Sequence, residues 1–109
     1  MCGIAGFINT KQIGFKSICS KMVNTLHHRG PDYSSVWVNE DSGVALGHSR
    51  LSILDLSSAG HQPMKSSCGR YIITFNGEIY NHLQLRKDVI LSGYPYLWTG
   101  HSDTETLLS

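Results

Sequence analysis

The chain has 109 residues, 40% of them hydrophobic and 16% charged, with a formal net charge of +1. That is enough for one ordinary soluble domain, and a charge this balanced gives no reason to expect nucleic acid or an anionic membrane as partner. No apolar run approaches the roughly 20 residues of a membrane-spanning helix. The first residues lack the basic start and long apolar stretch of a secretion signal, so a cytoplasmic location is expected.

Gly3 to Ile8 is a short apolar run with small residues and reads as a buried first strand. Phe15, Ile18, Met22 and Leu26 recur at helical spacing and predict an amphipathic helix over about 14–27, ended by His28-Arg29-Gly30-Pro31-Asp32. Val36–Val38 and Val44–His48 predict two strands around the turn Asn39-Glu40-Asp41-Ser42-Gly43. Leu51 to Leu56 alternates as a strand does and then enters the loop Ser57 to Pro63. Arg70 to Phe75, rich in β-branched and aromatic residues, is the strongest strand candidate. It stops at Asn76-Gly77, residue types that tolerate positive φ. Asn81 is a candidate N-cap for a helix over 82–92, with Leu83, Val89 and Ile90 inward and Gly93 past its end. Ser102-Asp103-Thr104-Glu105 matches a capping box, so a further helix starts there and has barely begun at Ser109, which reads as an interruption. With no repeat or linker, residues 1–109 are expected to be part of a single α+β or layered α/β/β/α domain.

Cys2 follows the initiator directly. If Met1 is removed, one residue carries both a thiol and a free α-amino group. The amine titrates near ~7.7–8.0 and can serve as a base at neutral pH. Nucleophile and base would then share one residue. The other reading is a small residue near a chain end. Cys2, Cys19 and Cys68 include no Cys-x-x-Cys pair, and the six histidines are scattered or adjacent, so no metal site is expected.

Four polar positions lie where elements end, and one of them, the rigid turn Arg29-Gly30-Pro31-Asp32, is structural by default. The planar fork of Arg50 suits a carboxylate, or an ordinary surface ion pair. An Asn76 amide and the Gly77 N–H could meet at one spot as an oxyanion hole, or form a plain turn. Asp103 could bind an ammonium group or cap its helix.

Met1-Cys2-Gly3-Ile4-Ala5-Gly6, His28-Arg29-Gly30-Pro31-Asp32, Gly47-His48-Ser49-Arg50-Leu51-Ser52-Ile53, Gln62-Pro63-Met64, Phe75-Asn76-Gly77-Glu78-Ile79-Tyr80-Asn81 and Ser102-Asp103-Thr104-Glu105 occur in one order. In this the chain resembles the N-terminal glutaminase domain of glutamine-hydrolysing asparagine synthetases. These are class II amidotransferases among the N-terminal nucleophile hydrolases. Glucosamine-6-phosphate synthases look different at the equivalent places, with Arg-Gly-Tyr-Asp and Thr-Arg-Trp.

The resemblance implies a layered α/β/β/α fold and hydrolysis of glutamine to glutamate and ammonia, the ammonia amidating aspartate. It implies Cys2 as nucleophile and Arg50 as the grip on the glutamine α-carboxylate. Leu51, Ser52, Ile53 and Leu54 would form a strand at the pocket floor. Asn76 and Gly77 would form the oxyanion hole, with Glu78 and Asp103 receiving the α-ammonium. No cofactor is implied for these residues. ATP and Mg²⁺ would belong to a C-terminal synthetase domain beyond them, and the full-length protein could be a homodimer. His101, between Gly100 and Ser102, departs from synthetases that run Thr-Gly into Ser-Asp. It leaves open another acceptor, such as a sugar carboxylate, and a fragment that only binds glutamine is a further alternative.

Overall fold

The computed structural model describes residues 1–9, 11, 13–53 and 56–109. Its first element, β1 (Gly3–Ile8), has the bounds its apolar run predicts but is not the buried strand expected, because Ile4, Gly6 and Ile8 on one of its faces are exposed. Helix α1 (Phe15–Asn24) is followed by β2 (Tyr33–Asn39) and β3 (Val44–Arg50). The three strands form an antiparallel sheet in the order β1-β3-β2. Gly3 pairs with Ser49, Ile8 with Val44, Tyr33 with Arg50, and Asn39 with Val44. Both strands of the second pairing extend beyond the hydrophobic runs that announce them, because ladder bonds continue through Ser34, Ser35 and Ser49.

Helix α1 is shorter than expected at its C-terminal end, and residues 25–29 continue as turns. It covers one face of the sheet. Its buried line is Phe15, Cys19 and Val23, with Ile18, Met22 and Leu26 half-buried along one flank. Phe15, Cys19 and Val23 form the core with Ala45, joined by Ala5, Phe7, Val36 and Val38, and the Phe7 and Phe15 rings stack at 5.2 Å. Close approach of helix to sheet depends on Gly47, where a Cβ would lie 2.2 Å from Val23 Cγ2 and 3.1 Å from Cys19 Sγ. Gly47→Ala is therefore expected to destabilise the fold by about 1–3 kcal/mol, the usual cost of overpacking. An unchanged denaturation midpoint would contradict that packing.

The other face carries Ile4, Gly6 and Ile8 of β1 beside Leu46, and leaves Ile4 and Ile8 exposed. A 3-10 turn at Ser58–Gly60 leads to β4 (Met64–Lys65), which pairs antiparallel with β5 (Ile72–Ile73). The strand expected over Arg70–Phe75 is thus paired over two residues only. Beyond it the chain finds other partners: Thr74 Oγ1 donates to the Gly47 carbonyl and the Phe75 N–H donates to Gln62 Oε1. Of the strand expected over Leu51–Leu56, residues 51–53 and 56 lie outside any ladder, the Ser52 N–H donates to Asp32 Oδ2 at 2.7 Å, and Leu54 and Asp55 lie outside the described residues.

Helix α2 (His82–Leu91) starts and ends close to expectation, and Gly93 beyond it has φ 77°. Asn81 precedes it without a side-chain capping bond. No residue of α2 is buried, and Leu83 and Ile90, expected inward, are exposed. The helix packs against α3 (Asp103–Leu108), and its Arg86 sits 3.9 Å from the ring centre of Trp98 in the strap between the two helices, contacts that bury no full apolar face. No helix among the described residues is long and apolar enough to cross a membrane.

Candidate active site

Successive side chains of a strand point to opposite faces. Ile4 pairs with His48, so Cys2, just before β1, falls on the same sheet face as His48 and Arg50 of β3. That face borders a cleft of about 300 Å³, lined also by Met1, Leu51, Ile53, Gln62, Phe75, Asn76, Gly77, Glu78 and the segment Ser102–Thr104. Sequence-distant polar groups singled out at element ends therefore converge on one cavity. Ser52 is not among its lining residues, and Leu54 lies outside the described residues.

Cys2 is half-buried and fixed by backbone. Its Sγ accepts the Leu51 N–H at 3.3 Å and approaches the Leu51 carbonyl at 3.5 Å. Its own carbonyl accepts from Arg29 Nε at 3.2 Å. The Arg29–Asp32 turn, structural by default in the sequence, thus holds both the Cys2 backbone and, through Asp32, residues 50 and 52.

Arg50 is 5% exposed, and its Nη1 donates to the Ser57 carbonyl at 2.8 Å. Among the described residues no carboxylate forms an ion pair with it. Asn76, Gly77 and Glu78 are exposed at the cleft. Gly77 does not adopt positive φ; a Cβ there would lie 2.6 Å from Phe75 Cζ, so a side chain would force that ring to move.

Asp103 is buried, with Oδ2 accepting the Ile79 N–H and Oδ1 the Thr104 N–H, each at 2.9 Å. It ties the 76–79 turn to α3 instead of capping the helix. The cap is Ser102, whose Oγ accepts the Glu105 N–H at 3.1 Å. The reciprocal half of the capping box is replaced: Glu105, 2% exposed, accepts from the Thr99 N–H and hydroxyl and the Gly100 N–H.

Sequence reasoning assigned no site role to Gln62, Thr104, His48 or Glu105. Gln62 Nε2 donates to Thr104 Oγ1 at 3.1 Å. His48 is 1% exposed, and neither ring nitrogen makes a hydrogen bond of good geometry. Burial pushes its imidazole below the ordinary value; the nearby Phe75 backbone opposes this, and the Arg50 charge adds to it. A histidine whose folded pKa is depressed stabilises the protein above the unfolded value near 6.5, and the contribution fades as pH falls below it. The melting temperature should therefore drop below about pH 6.5, and His48→Gln should flatten that drop; equal slopes in the two proteins would refute it.

The other two cysteines are elsewhere. Cys19 is in the core, where burial raises its thiol, and Cys68 is exposed, its thiol lowered mainly by the Ser66 hydroxyl. No group of three or more His, Cys, Asp or Glu among the described residues could hold a metal ion.

The fold and this cleft agree with a family match over residues 1–109, and the chain belongs to the glutamine amidotransferase domain family. It is 40% identical to asparagine synthetase 3 (glutamine-hydrolysing) of Bacillus subtilis over 99% of its length. It is 36% identical to asparagine synthetase 1 of the same organism and 34% identical to asparagine synthetase B of Escherichia coli, in each case over 100% of its length. The chain spans less than a fifth of these relatives, 17%, 17% and 19% of their respective lengths.

Proposed function

We propose that this chain is the glutamine-hydrolysing part of an asparagine synthase, with Cys2 as nucleophile. The observation that carries the reading is one cleft bordered by a thiol, a buried guanidinium with no carboxylate partner among the described residues, an amide–glycine turn and a buried carboxylate.

In this mechanism the glutamine α-carboxylate meets Arg50, and the α-ammonium lies between Asp103 and Glu78. Leu51 and Ile53 border the aliphatic part. With Met1 removed, the Cys2 amine takes the thiol proton and sulfur attacks the side-chain carboxamide carbon. The Asn76 side-chain N–H and the Gly77 N–H donate to the oxygen as it gains charge. The carbon–nitrogen bond breaks, the amine returns its proton, and ammonia leaves a γ-glutamyl thioester. Water then attacks the thioester, giving glutamate and free thiol.

The relatives extend far beyond the matched stretch, and a synthetase domain of that kind would use ATP and Mg²⁺ to activate aspartate. A cytoplasmic location suits a free terminal thiol. We further read the apolar sheet face bearing Ile4 and Ile8 as the side covered by a second sheet, which would complete a layered α/β/β/α fold.

The test is to incubate the protein expressed from its complete reading frame with glutamine. Expected are glutamate, ammonia and, on rapid quenching, a γ-glutamyl adduct on an N-terminal peptide that lacks Met1. Adding ATP, Mg²⁺ and aspartate should yield asparagine. Glutamate release without amidation of aspartate would keep the glutaminase and overturn the acceptor; no glutamate at all would overturn both.

A further inference from the structure

The turn carrying Asn76 and Gly77 and the helix end carrying Asp103 come from different segments, and catalysis by the route above requires a fixed spacing between them. One tie is the Asp103 carboxylate on the Ile79 N–H, beyond the turn. A second lies before the turn, where Gln62 reaches in from the loop ahead of β4. A backbone N–H can only donate, so the amide oxygen of Gln62 faces Phe75, at 2.6 Å, and its NH₂ faces Thr104 Oγ1, at 3.1 Å. Gln62 is 7% exposed and Thr104 3%; the bond between them is buried and the one to Phe75 is partly buried. The β4–β5 ladder ends at Ile73, and Gln62 supplies the acceptor for Phe75.

We propose that Gln62 is a positioning residue for glutamine hydrolysis. Its side-chain amide sets the distance between the oxyanion-binding turn and the ammonium-binding end of α3, by accepting from one and donating to the other. The inference rests on the glutaminase reading above. A side-chain amide suits this task because it presents an acceptor and a donor at once without charge. Leucine at the position fills similar space but leaves the Phe75 N–H without its acceptor, freeing the residue just before Asn76.

The oxyanion contacts strengthen only as charge develops, whereas the carboxylate and ammonium contacts already exist in the bound substrate. Loss of Gln62 should therefore appear in kcat and not in KM. In the protein expressed from its complete reading frame, Gln62→Leu is expected to lower kcat roughly 30- to 100-fold, the scale of a misplaced catalytic group. KM for glutamine should stay within about threefold, because Arg50 makes no hydrogen bond to Gln62 and the Asp103 bond to the Ile79 N–H still holds the ammonium end of the turn. Thr104→Val, which removes one of the two bonds, should cost about tenfold in kcat, and Thr104→Ser should recover most of it. The double variant Gln62→Leu/Thr104→Val should be no slower than Gln62→Leu alone, since both break one bridge.

Independent, multiplying losses in the double variant would overturn the bridge. So would an unchanged kcat in Gln62→Leu, or a rise in KM alone. If Gln62→Leu fails to fold, Thr104→Val against Thr104→Ser decides the question: equal kcat in the two overturns the proposal. Cys2→Ser in the same assay separates the layers. If it still releases glutamate at the normal rate, the glutaminase reading fails and the positioning role falls with it. If it is dead while the Gln62 and Thr104 variants are normal, only the positioning role is lost.

Discussion

Replacing Cys2 with alanine is expected to reduce glutamate release from glutamine to background, a loss on the order of 10⁶ in kcat for a nucleophile that works as a unit with its base. The melting temperature should hardly change. Cys2 is outside the apolar core, which is built on Phe15, Cys19, Val23 and Ala45. Its backbone is held by Arg29 through the main-chain carbonyl, a bond alanine keeps. What alanine loses is the sulfur that sits against the Leu51 N–H and carbonyl. A variant that folds like the parent and still turns over glutamine at a comparable rate would remove Cys2 from the mechanism.

Retaining Met1 should be almost as damaging for a different reason. The thiol would remain, but the α-amine would belong to Met1 and no longer to the residue that bears the sulfur. Thiol labelling needs care in either experiment. Cys68 is exposed and its thiol is lowered by Ser66, so a general alkylating reagent will modify it as well, while Cys19 is buried. Glutamine should protect Cys2 and leave Cys68 open. Equal protection of the two, read peptide by peptide, would contradict a glutamine site at Cys2.

The parts of this molecule legible in its sequence are those fixed by neighbours along the chain. The small apolar run Gly3–Ile8 became β1 with the expected bounds, and the Asn39–Gly43 turn joins two strands as its residue types suggested. Strand formation at 70–75 depended on something local propensity does not contain, namely where each N–H finds an acceptor. For Phe75 that acceptor is a side chain 13 positions away in sequence. The periodicity of α2 predicted a buried stripe, yet the helix packs mainly on α3, with Arg86 over the Trp98 ring, and Leu83 and Ile90 remain in water.

The site divides in the same way. Cys2, Arg50, Asn76, Gly77 and Asp103 could be singled out because chemistry at element ends has few alternatives, and all five border the cleft. Gln62 and Glu105 escaped because their work is done through side chain-to-backbone bonds across loops. Glu105 was recognised only as a helix-start residue. Its carboxylate is spent on Thr99 and Gly100, which fixes the approach to Ser102 and Asp103 from behind.

Arg50→Ala is expected to raise KM for glutamine by roughly 30-fold to several thousand-fold, corresponding to about 2–5 kcal/mol for truncating one partner of a buried charge pair. The change in kcat should be small, because the α-carboxylate contact is the same in the bound substrate and in the transition state. The magnitude follows from the setting of the guanidinium: 5% exposed, with one nitrogen on the Ser57 carbonyl and no carboxylate partner among the described residues. A buried cation in that condition gains more from an incoming carboxylate than a solvated one does. Arg50→Lys should fall between the two, since a single ammonium cannot keep the Ser57 bond and also offer a planar fork to both carboxylate oxygens. The assignment to the α-carboxylate itself is tested by 4-aminobutanamide, which is glutamine without that group. The parent enzyme should lose about as much kcat/KM on this compound as Arg50→Ala loses on glutamine. On the truncated compound, Arg50→Ala should cost nothing further, because the group that Arg50 grips is already gone. If the two losses multiply, Arg50 acts on some other part of the substrate.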